Sequence, residues 1–166
     1  MTTERTESLA TVEREIRIAA RPEIVFNLLT DATELLKWQG VTAELEARPG
    51  GIYRVQLSTD GQSTAGRFVE VVPHTRIVFT WGWDPPVFPI PAGSTTVEID
   101  LTADSAGTIL HLRHTGLPNV PQVTASHGAG WQHYLERLAM FAEGRPLPDD
   151  PWRDGHMDDG TGGDSA

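Results

Sequence analysis

A chain of 166 residues, 39% of them hydrophobic, has the length and apolar content of one domain with one ordinary core. A formal charge of −10 and no basic stripe remove nucleic acid as an expected partner, and the lack of any cysteine removes disulfides, thiolate catalysis and cysteine-built metal sites. With no charged and apolar leader and no apolar run of membrane length, the chain is expected in the cytoplasm and away from the bilayer.

Residues 1–11 are polar and lack periodicity, which predicts a flexible N-terminal arm. Val12, Arg14, Ile16 and Ile18 then alternate with charged neighbours as a first strand does. Pro22 and Glu23 suit the first turn of a short helix whose buried side is Val25, Leu28 and Leu29. Asp31 followed by Glu34 has the spacing of a capping box and predicts a second brief helix ending near residues 37–40.

From Thr42 to His114 the period changes to two, and turns at Pro49–Gly51, Asp60–Gly61, Pro73–His74 and Asp104–Gly107 divide the stretch into an antiparallel meander of about six strands. Tyr53, Val55 and Leu57 share one face, as do Ile77, Phe79, Trp81 and Trp83, and Val97, Ile99 and Leu101 oppose Thr96, Glu98 and Asp100. The strand around Phe68–Val72 does not alternate, which leaves the side of Glu70 open. Four prolines between Trp83 and Gly93 predict a loop.

His127 through Glu143 reads as one long amphipathic helix, with Trp131, Tyr134, Leu135, Leu138 and Ala142 on its apolar stripe. After it the composition turns to proline, glycine and acid, so residues 145–166 are expected as a mostly disordered tail beyond a domain at 12–144. The fold class is therefore α+β, a curved antiparallel sheet around a long C-terminal helix, an arrangement that often encloses a cavity.

Chemistry is sparse. His111 and His114 stand three apart on a strand and point to opposite faces, while His127 and His133 are out of line on the helix, so neither a metal nor another cofactor is expected. His114 has the parity of Leu110 and Leu112 and should face the helix-covered side, either as a hydrogen-bonded core histidine or as a ligand-orienting or acid–base group. His127 opens the helix and reads most simply as exposed, though it is placed to approach His114. Trp38, Tyr53, Trp81, Trp83 and Trp131 are core aromatics or cavity walls, with Leu135 beside them. Gly128 and Gly130 mark a late helix start, a packing need or an opening near the helix start. Neither a Gly-x-Ser-x-Gly elbow nor a glycine-rich phosphate loop is present.

The segments Ala20–Phe26, Trp38, Arg48–Gly51, Gly66–Pro73, Val78–Trp83, Gly107-Thr, His114–Pro118 and Gly130–Leu138, taken in order, resemble the activator-of-heat-shock-protein-90-ATPase homologue family of the START-like, Bet v 1-like (SRPBCC) superfamily. The resemblance covers about residues 12–144 and implies a helix-grip fold. It also implies relatives of several kinds: binders of lipids, hormones or polyketides, cyclases and hydroxylase components, and a eukaryotic co-chaperone in which this domain is joined to a second, for which this chain has no room. No family-wide catalytic motif falls on these positions.

The leading expectation is a noncatalytic protein, monomer or homodimer, that holds a small apolar or amphipathic molecule between sheet and helix. The alternatives are a cyclase or dehydratase acting on an aromatic polyketide-like substrate through His114 with Tyr53 or an inward acid, and a chaperone-associated module using the outer sheet and its acids.

Overall fold

The computed structural model describes residues 9–86 and 89–154. It opens with β1 (Leu9–Ile18), two short helices α1 (Pro22–Thr30) and α2 (Ala32–Leu35), and the strands β2 (Thr42–Leu45) and β3 (Ile52–Gln56). There follow β4 (Ser63–Val72), β5 (Arg76–Trp81), β6 (Trp83–Asp84), β7 (Thr95–Asp104), β8 (Gly107–Pro118) and the long helix α3 (Pro121–Ala142). Every named pairing is antiparallel, in the order β1-β8-β7-β5-β4-β3-β2, with β6 added to β4.

Alternation decides which side of this sheet takes the helix. Phe79, Val97, Ile99, Leu110 and Leu112 are buried under α3, each worth roughly 1.5–3 kcal/mol relative to exposure. The opposite face is wet: Arg76 bonds Glu70, Glu98 and Asp100 at 2.9–3.1 Å, and Arg113 bonds Glu13 at 3.1 Å. Glu70 points outward because the register shifts between Phe68 and Glu70, so that Phe68 is buried while Val69 and Glu70 are both exposed. That bulge is why the strand's sequence does not alternate.

Three boundaries differ from the sequence reading. β1 begins at Leu9 rather than Val12; residues 1–8 of the expected arm lie outside the described residues. The helix starts at Pro121, six residues before His127: proline occupies the first turn, and Val120 offers no side-chain cap that would have marked the start. The proline-rich stretch is not wholly a loop, since Trp83 and Asp84 pair with Thr64 and Ser63, and the Trp83 N–H donates to the carbonyl of fully buried Ile90.

Within the expected tail of 145–166, the first ten residues have described structure. Residues 145–154 turn back along α3 and end in a 3₁₀ turn, Pro151–Asp154, with Trp152 packed against the core. Their order comes from specific contacts. Arg137 donates to the Pro148 carbonyl, His133 bonds Asp150 at 2.9 Å, and the Thr59 N–H donates to the Arg153 carbonyl. Residues 155–166 lie outside the described residues.

Candidate functional site

Inward parity and one turn of helix bring five elements to a single cluster. Trp81 ends β5 opposite Thr95 on β7, His114 lies on β8 beside Val97, Trp83 comes from β6, and His127 and Trp131 descend from α3. All are buried, His114 completely, and their ring centroids are 4.6–6.3 Å apart, so the rings fill the space among themselves.

Hydrogen bonding fixes both imidazoles. Trp131 Nε1 donates to His114 Nδ1 at 3.0 Å, and because the Thr95 hydroxyl donates to the Trp81 carbonyl at 2.7 Å, His114 Nε2 must carry the proton it shares with Thr95 Oγ1 at 2.8 Å. His127 is the mirror case: Nε2 accepts from Trp83 Nε1 at 3.1 Å, and Nδ1–H faces the Val123 carbonyl at 2.8 Å. Protonating either would set an N–H against an indole N–H. Burial, aided by His127, holds His114 down to about 3, and burial holds His127 below the usual range against the pull of the Val123 carbonyl.

The other predicted positions lie elsewhere on the interior. Tyr53 stacks on Phe79 at 4.0 Å and meets Phe68 edge-on, and burial pushes its phenol well up. Leu135 is buried on the sheet-facing stripe of α3. Trp38 closes the far end: its indole donates to the Leu28 carbonyl at 2.9 Å and its own carbonyl accepts from Arg137 at 3.0 Å. His127, expected as exposed, is buried because the helix begins well before it. Gly128 leaves room for Arg14, since a Cβ would stand 2.6 Å from the guanidinium; Gly130 faces Trp152 instead of an opening to the interior.

Two hydroxyls that the sequence reading did not single out become prominent. Thr64 Oγ1 and Tyr134 Oη are buried and, among the described residues, have no hydrogen-bond partner. Thr64 lies near the Tyr53 hydroxyl, and Tyr134 is close enough to Asp150 for that carboxylate, after burial itself, to raise its phenol further, but neither contact has hydrogen-bond geometry. Alternation placed Thr64 inward beside Val55 and Trp83, and helical spacing placed Tyr134 on the apolar stripe; neither pattern reports whether a hydroxyl finds a partner. Outside this interior a surface cleft of about 560 Å³ lies between α1, α2, the β4–β5 turn and the end of α3, lined by Glu23, Phe26, Asn27, His74 and Phe141 among others.

A curved antiparallel sheet closed on a long C-terminal helix, with two short helices after the first strand, defines a helix-grip protein of the START-like class. Residues 19–143 match the family described as Activator of Hsp90 ATPase homolog 1-like protein, and the chain belongs to that family. An AHSA1-like protein of Rhizobium etli is 39% identical, with 93% of this chain and 96% of that one covered and a TM-score of 0.71. Protein CV1439 of Chromobacterium violaceum is 29% identical over 84% of this chain and 98% of its own, with a TM-score of 0.69. DynU16, a protein in the dynemicin biosynthetic locus, is 24% identical, with a TM-score of 0.70 over 82% of this chain and 48% of its own, a likeness of fold alone. No curated protein matches the chain. No helix among the described residues is long and apolar enough to cross a membrane.

Proposed function

We propose that this chain binds a small amphipathic molecule between the sheet and α3, on the side bounded by β3, β4 and Tyr134. The observation that carries the reading is the pair of buried, unpartnered hydroxyls. More than about nine in ten buried polar groups in folded proteins are paired. Leaving one unpaired costs about 1–3 kcal/mol, so two on the inward sides of facing layers are suited to a polar group that arrives with a ligand. Val55, Phe68, Phe79 and Leu135 supply apolar surface for its body.

Binding is favoured over catalysis because the groups best suited to proton transfer are already committed. His114 and His127 are held neutral with both ring nitrogens engaged, and Tyr53 belongs to a different ring cluster from His114. On the outer face, the acids that a chaperone would meet are paired with Arg76 and Arg113 of the same sheet.

The test is a tryptophan-emission titration with fatty acids, flavonoids and aromatic polyketides. At least one compound should act saturably on the natural chain. Tyr134→Phe and Thr64→Val, which keep the shape and remove the hydroxyl, should weaken it by about tenfold, or 1.4 kcal/mol, while the unliganded variants melt higher. A panel without response, or variants that bind as tightly as the natural chain, would contradict the reading.

A further inference from the structure

The segment that folds back along α3 is poor in apolar residues, and ordering each of its residues costs about 1–2 kcal/mol of backbone entropy, so its position needs a cause. The cause is a second stripe on α3. Gly130, His133, Tyr134 and Arg137 follow at spacings of three, one and three, which sets them along one flank of the helix, beside the stripe that meets the sheet. Gly130 lies under Trp152, whose indole a Cβ there would meet at an ordinary contact of 3.8 Å. Trp152 packs against His133 at 4.1 Å with the rings tilted by 32° and meets Tyr134 edge-on at 5.7 Å.

Polar contacts fasten the segment at both ends. Arg137 holds the Pro148 carbonyl at 2.7 Å while also bonding the Trp38 carbonyl. Asp150, whose side chain is only 5% exposed, takes His133 at 2.9 Å and the Trp152 N–H at 3.0 Å. Arg153 then crosses to the β3–β4 hairpin, where its carbonyl accepts the Thr59 N–H at 2.7 Å. The segment thus bridges the helix that carries Tyr134 and the hairpin whose second strand carries Thr64.

We propose that residues 145–154 are a displaceable strap over the flank of the binding site, with the Trp152 indole as an internal competitor of the ligand. The inference rests on the ligand-binding reading above. An indole is itself an aromatic body with one polar edge, the chemistry expected of the ligand. Its seat on Tyr134 covers a side chain whose hydroxyl has no partner within the described fold. Lifting the strap breaks a few hydrogen bonds and the two ring contacts of Trp152, with His133 and Tyr134, and leaves the sheet and the apolar stripe of α3 intact.

The experiment uses anilinonaphthalene sulfonate as the probe and the full-length chain, Trp152→Ala and Asp150→Ala as proteins. Apparent affinity scales with the fraction of molecules whose site is open, so both variants should bind the dye about tenfold more tightly than the natural chain. In the natural chain, which needs no substitution, saturating dye should speed tryptic cleavage after Arg153; Arg145 precedes a proline and does not compete for the enzyme. Equal saturable binding by all three proteins, or dye that leaves cleavage unchanged, overturns the strap and spares the ligand reading. Weaker binding by the variants makes Trp152 part of the site and also overturns it. No saturable binding to any of the three sinks both.

Discussion

At the scale of single residues, His114 and His127 make stability depend on pH. Free imidazoles protonate near about pH 6.5, whereas folded His114 resists down to about 3 and folded His127 is shifted the same way. Between those limits the unfolded chain binds more protons. The contribution is therefore complete above the unfolded value and falls as the solution becomes acidic, by about 1.4 kcal/mol per pH unit for His114, with His127 acting in the same direction. A urea series between about pH 7 and pH 5, above the carboxylate range, should show the midpoint falling steadily. A flat midpoint would mean that water reaches the imidazoles.

The glycines make opposite predictions for one substitution. At Gly128 the obstacle to a Cβ is the far end of the flexible Arg14 side chain, so Gly128→Ala should move the guanidinium and stabilise the helix by about 0.5–1 kcal/mol. At Gly66 the obstacle is the Thr80 carbonyl at 1.9 Å, where β4 and β5 approach closely. Gly66→Ala must part the strands and should cost more than about 2 kcal/mol. Thermal melts of the two variants compare them directly; equal melting points would contradict the packing described here.

At the scale of elements, most of the fold was legible because its signals are local. Turns at Asp60–Gly61 and Pro73–His74 and clean alternation in β7 specify strands without reference to the rest of the chain. The bulge beside Val69 was not legible, since one extra residue in a strand appears in sequence only as broken alternation. The start of α3 was hidden by Val120, which caps nothing, and by Gly128 and Gly130, which are weak helix formers and face Arg14 and Trp152. The site was less legible than the fold: parity brought Trp81, Trp83, His114 and Trp131 inward, but the pairing of each imidazole with an indole depends on contacts between elements.

The strap illustrates the same limit. Its composition resembles disorder, and only the stripe at Gly130, His133 and Arg137 on another element gives it a place to dock. A chain ending at Leu147 should melt about 2–6 °C lower than the full chain. Docking should also depend on acid. Burial works to raise the Asp150 carboxyl, but its bonds to His133 and the Trp152 N–H, with the charges of His133 and Arg137, hold it below the usual range. The stabilisation is therefore present at neutral pH and lost as pH falls through that depressed value. Trp152 should then become accessible to an aqueous quencher, and no change in quenching on acidification would argue against the latch.

At the scale of the molecule, the sheet and α3 form a grip with two dissimilar interior regions. The end built from Trp81, Trp83, His114, His127 and Trp131 is filled and internally satisfied. Thr64 on the sheet and Tyr134 on α3 keep buried hydroxyls without partners among the described residues, and Tyr134 lies beside the strap. The acids of the outer sheet are paired with Arg76 and Arg113 on a solvated face, and the cleft beside His74 is a second concave surface, distinct from the interior proposed above.

The measurement that tests the central claim most directly is an amide NMR map of the chain with and without a compound that responds in the emission titration. The account predicts that shifts concentrate at Tyr53, Val55, Thr64, Tyr134 and the strap residues Asp150–Arg153, with Glu98, Asp100 and Arg113 on the outer face unmoved. Shifts confined to Glu23, Phe26, His74 and Phe141 around the surface cleft, with Thr64 and Tyr134 undisturbed, would contradict it.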